Sequence, residues 1–79
     1  MNQKKFIELV GKSLNVEISK INMNLKLGDI EEWDSLGHLS ILTSLDKVTK
    51  GKSSKIPGLG TKESLKKIWK KLEDNKLTK

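Results

Sequence analysis

The stretch ISKINMNLKLGDIEEW, residues 18–33, decides the fold. Ile21, Met23, Leu25 and Leu27 alternate with polar residues, the two-residue period of a half-buried strand. A strand, however, needs a partner for its backbone N–H and C=O groups. The nearest candidate partner, KVTKGKSSKI (residues 47–56), is broken by glycine and lysine. The other reading is an ordered loop laid across a helical core, with the same side chains as anchors. Connections of this length are uncommon in compact domains and are often functional. The missing partner favours the loop, and with it an all-α chain.

On either side of this stretch the periodicity is helical. Upstream, Phe6, Ile7, Val10 and Leu14 share one face of a helix predicted from Asn2 to about Leu14, ending near Asn15. Downstream, Asp34 has the side chain of an N-cap. Leu36, Leu39, Leu42 and Leu45, widened by Ile41 and Val48, predict a helix to about Thr49 that stops near Gly51. In GKSSKIPGLG (51–60), Pro57 pushes Ile56 out of the helical region and the glycines add turn chemistry, so at most a short helical turn fits. For the last helix Thr61 is the expected N-cap, Glu63 favours the positive helix start, and Leu65, Ile68, Trp69 and Leu72 form the buried stripe. Its lysines cluster toward the C-terminal end, and a frayed tail is expected from about residue 75. The expected architecture is one domain over residues 1–79, a small three- to four-helix bundle with a long ordered loop between helices 1 and 2.

Charge is unevenly spread along these elements. Residues 1–34 hold five lysines against six acids, residues 35–79 eleven lysines against four, for a net charge of +6 with no arginine. A basic half attracts nucleic acid, anionic lipid or acidic protein. Base readout and single-strand binding draw on arginine and exposed aromatics. The only aromatics are Phe6, Trp33 and Trp69, and Phe6 and Trp69 sit on predicted core stripes. No nucleic acid is therefore expected as partner, and a basic helical nucleic-acid-binding or interaction module stands as the alternative reading. No segment reaches the roughly 20 apolar residues that cross a bilayer, so no membrane insertion is expected. Near the start, Glu8 interrupts what would be the apolar core of a signal peptide. Absence of cysteine excludes disulfides and thiolate metal sites and is compatible with the expected cytoplasmic location. A monomer is the default for a chain with no evident large apolar patch.

Chemistry-bearing residues are few. GLGTKE has neither the spacing nor the preceding strand of a phosphate loop. His38 is the only histidine and has no second one for a metal site. As a base for Ser35, three residues earlier, it lacks an orienting acid. It reads as a solvent-facing residue in the second helical turn. Asp29, Glu31, Glu32 and Asp34 decorate a helix entrance, where negative charge is favoured. No catalytic or metal-binding residue is expected, and the chain is not expected to be an enzyme.

Ser35 remains. With Asp34 as cap it takes the first helical position, its hydroxyl beside unsatisfied backbone N–H groups that favour a phosphate. Leu36 is placed to anchor the helix start in the core. Gly37, with no side chain, leaves room beside an attached group. In this context WDSLGHLSIL resembles the attachment region of the acyl carrier protein family and its peptidyl and D-alanyl relatives. The family's Asp-Ser-Leu signature is matched by Asp34, Ser35 and Leu36, at the start of the second helix after a long loop. Chain length, the early first helix, the LKLGDIEEW approach and a Thr-started last helix match as well.

The resemblance implies that Ser35 carries a 4′-phosphopantetheine, transferred from coenzyme A by a separate phosphopantetheinyl transferase. The arm's thiol would hold an acyl group as a thioester for acyl-loading and acyl-transferring enzymes, or an aminoacyl or D-alanyl group in the related carriers. The reactive sulfur missing from the chain would thus be imported. Family members are usually acidic. Here the second-helix positions His38, Ser40, Thr43, Ser44, Asp46 and Lys47 are nearly neutral in sum, and residues 48–59 are lysine-rich. A stand-alone carrier serving a dedicated biosynthetic pathway, with partners of matching surface, is the expectation.

Overall fold

The computed structural model describes residues 1–78. These form three α-helices, α1 (Gln3–Leu14), α2 (Ser35–Val48) and α3 (Leu65–Asp74), and no strand among the described residues. Three short 3₁₀ turns complete the chain: Ile18–Lys20 before α2, and Ser53–Lys55 and Leu59–Thr61 before α3. Lys79, in the tail expected from about residue 75, lies outside the described residues. No described helix is long and apolar enough to cross a membrane.

Each helix start is set by a side chain. The Asn2 carboxamide oxygen accepts the Lys5 N–H at 2.8 Å and opens α1. At the other end Asn15 turns into the left-handed region (φ 58°), and the Val16 N–H reaches back to the Gly11 carbonyl at 2.8 Å. Phe6, Val10 and Leu14 of α1 meet Ile41 and Leu45 of α2 and Leu65, Ile68, Trp69 and Leu72 of α3 in the core. Phe6 and Trp69 are tilted at 43° with ring centroids 5.2 Å apart. A hydroxyl pair, Ser13 Oγ to Ser44 Oγ at 2.7 Å, links α1 and α2.

The alternating stretch is divided by burial. Ile21 and Leu25 are buried in the core, while Met23 and Leu27 are partly buried against it. Its only β-type pairing is a single antiparallel bridge between Lys26 and Ser64. Two backbone bonds make that bridge, Leu27 N–H to the Glu63 carbonyl at 2.8 Å and Leu65 N–H to the Leu25 carbonyl at 3.1 Å. The partner therefore lies in the approach to α3, not in residues 47–56. The Asp29 carboxylate holds the adjoining turn by accepting the Lys26 N–H at 2.8 Å.

The same bridge moves the start of the last helix. Thr61 is not its N-cap: its hydroxyl donates to the Gly58 carbonyl at 2.7 Å within a 3₁₀ turn. Ser64 is the cap, extended at φ −140°, ψ 151°, with its Oγ accepting the Lys67 N–H at 3.2 Å. Pairing with Lys26 holds residue 64 extended, so the helix begins only at Leu65, and Glu63 lies outside its first turn. Ser64→Ala is expected to cost about 1 kcal/mol. Thr61→Ala, at an exposed turn, is expected to cost less than about 0.5 kcal/mol. Urea unfolding of the two variants checks the order, and a larger loss at Thr61 would contradict this assignment.

Candidate functional site

The site is built at the start of α2. Asp34 is extended (φ −104°, ψ −165°) and its Oδ1 accepts the Gly37 N–H at 2.9 Å. That bond satisfies one of the free amides of the first turn and makes Ser35 the first helical residue. Ser35 is exposed. Its hydroxyl thus sits at the positive end of a fourteen-residue helix, where an anionic group is favoured.

The neighbours of Ser35 depart from expectation. Leu36, expected to anchor the helix start in the core, is 76% exposed, and Leu39 is 60% exposed. Each helical residue advances by about 100°. Gly37, His38, Ile41 and Leu45 occupy the inward arc, so residues 36 and 39 fall on the far side. Leu36 follows Ser35 directly and Leu39 stands one turn below it, so the hydroxyl is flanked by an apolar surface.

Gly37 also plays a different part. A Cβ built there would run into the Glu32 carbonyl oxygen and stand 2.7 Å from Leu14 Cδ2. The missing side chain faces inward and lets the preceding loop and α1 close over the helix start. It does not make room beside Ser35.

His38 is the largest departure, for it is buried rather than solvent-facing. Its Nδ1 accepts the Trp33 indole N–H at 3.1 Å, and its Nε2 lies 2.9 Å from the Gly60 carbonyl oxygen. An indole nitrogen only donates and a carbonyl only accepts, so the partners select the neutral ring with its proton on Nε2. The two rings are stacked, 19° apart in plane with centroids 6.0 Å apart. Both ring nitrogens are engaged, which leaves none to activate Ser35. The bonds tie the approach to α2, α2 itself and the 3₁₀ turn before α3 together beneath the Ser35 turn.

Sequence reasoning left Trp33 without a role and missed Gly60. A signal for Trp33 was present. Trp33 immediately precedes the cap and His38 is the fourth helical residue, the two positions that pack together in a hydrophobic staple. Here the staple also carries a hydrogen bond. Among the described residues no group of three His, Asp or Glu converges to hold a metal ion. Of the four acids before α2, Asp29 and Asp34 are already bonded to backbone amides.

Comparison with models of known protein families, with curated proteins and with solved structures finds no match for this chain.

Proposed function

We propose that this chain is a carrier protein whose Ser35 bears a 4′-phosphopantetheine, holding an acyl or aminoacyl group as a thioester. The observation that carries the reading is the exposed first-position serine of α2, behind the Asp34 cap and beside the exposed Leu36 and Leu39. A small all-α chain with a serine at such a helix start agrees with it. The reading further expects a three- to four-helix bundle with a long ordered loop before the attachment helix.

In the modification, the Ser35 oxygen forms a new bond to the pantetheine-side phosphorus of coenzyme A. The bond to the departing phosphate breaks and adenosine 3′,5′-bisphosphate leaves. The hydroxyl proton goes to a base on the transferase, since His38 has no free ring nitrogen. The amides of the first turn favour the phosphodiester that remains. Leu36 and Leu39 then offer the transferase and the loading enzymes an apolar contact beside the arm, whose burial would drive docking. The chain itself catalyses nothing and works in the cytoplasm.

The test uses a fluorescent coenzyme A conjugate and a broad-specificity phosphopantetheinyl transferase. The parent chain is expected to become labelled, and Ser35→Ala, with an unchanged circular dichroism spectrum, is expected to lose all labelling. Equal labelling of both proteins, or of neither with several transferases, would contradict the proposal.

A further inference from the structure

At the opposite end of α2 from Ser35, about 20 Å away along the helix, lies a groove of about 700 Å³ between α1, the last turn of α2 and residues 76–77. Its α1 wall carries Lys5, Glu8, Leu9 and Lys12, spaced so that they share one face. Lys47 and Val48 stand on the α2 wall, and Lys50, Lys52 and Lys76 extend the rim. Leu9, Met1 and Leu77 lie partly buried in the floor, whereas Val48 is 57% exposed. Six lysines thus face one glutamate around an aliphatic floor. Among the described residues none of the six is in an ion pair, the one pair there being Lys70 with Asp74.

We infer that this groove binds an acidic amphipathic helix of a partner protein. A helix with apolar residues at i, i+3 or i+4 and i+7 seats them in such a trough, and its flanking carboxylates reach the lysines on both rims. The charge is complementary, and the recessed floor needs a projecting occupant. A bilayer surface is matched instead by apolar groups that protrude beyond their cations. A nucleic acid backbone has no aliphatic anchors for the floor, and the groove offers bases no aromatic to stack on. The groove and the Ser35 turn are separate surfaces, so this inference goes beyond the carrier reading and does not rest on it.

The test is a fluorescently labelled, helix-forming peptide of about 14 residues, roughly four turns, with leucines at i, i+3 and i+7 and glutamates on the flanking positions. It is titrated against the full chain at low salt, with amide chemical shifts recorded in parallel. Saturable binding is expected, with shifts confined to α1, the C-terminal half of α2, residues 49–52 and residues 76–77. Val48→Ser and the pair Lys12→Glu, Lys47→Glu are each expected to weaken it by about tenfold or more, as is exchange of the peptide's glutamates for glutamine. Ser35→Ala is expected to bind as the parent does. No binding, binding indifferent to those substitutions, binding lost in Ser35→Ala, or stronger binding to phosphatidylglycerol vesicles than to the peptide would each overturn the inference.

Discussion

Replacing Gly37 by alanine is expected to lower the thermal midpoint by roughly 8–16 °C, the equivalent of about 2 kcal/mol in a chain of this size. The sign is not obvious from propensity, since alanine in a helix gains up to about 1 kcal/mol over glycine. Geometry reverses it. The added Cβ meets the Glu32 carbonyl oxygen, which belongs to the backbone and cannot rotate away, and Leu14 Cδ2 at 2.7 Å. Overpacking of this kind costs about 1–3 kcal/mol, and more where backbone must shift. Gly11 is the control: there the nearest atoms to a Cβ are the Val16 carbonyl oxygen at 3.0 Å and Ile18 Cγ1 at 3.6 Å. Gly11→Ala should therefore move the midpoint less. Melting curves by circular dichroism decide it, and an equal shift in both variants would show that the Glu32 contact is not the cause.

Trp33→Ala is expected to cost more, about 3–5 kcal/mol, because the largest fully buried side chain is truncated. A chain of this length has roughly 4–12 kcal/mol in total, so the variant stands near the edge of folding. Part of the loss comes from His38, whose Nδ1 is left buried without a donor. A double-mutant cycle isolates that part. Trp33→Phe keeps an aromatic body and removes the N–H, and His38→Phe removes the acceptor. The single changes are each expected to cost more than about 1 kcal/mol, and the double change less than their sum. Strict additivity in urea unfolding would mean that the indole–imidazole bond contributes nothing to stability.

These two positions also mark what could and could not be read in advance. The Asp34 cap was legible because capping is local: the carboxylate and the amide it accepts are three residues apart. The buried faces of α1 and α3 were legible for the same reason, since their apolar residues recur at helical spacing and all of Phe6, Val10, Leu65, Ile68 and Leu72 are buried. In α2 the pattern misled. Leucine reads as core wherever it recurs, yet only one arc of the helix meets the rest of the protein, and Leu36 and Leu39 lie outside it. Polar His38 took the inward place because Trp33 and Gly60, the latter 22 residues away, satisfy both its nitrogens. Thr61 and Ser64 are both acceptable caps. The choice between them rests on a bridge to Lys26, a contact that no local window contains.

The most direct measurement is the intact mass of the chain, followed by peptide fragmentation, after incubation with coenzyme A and a phosphopantetheinyl transferase. The account predicts a gain of one phosphopantetheine per chain, located on Ser35 and absent from Ser35→Ala. No gain with several transferases, or a gain that maps to another serine, would contradict it.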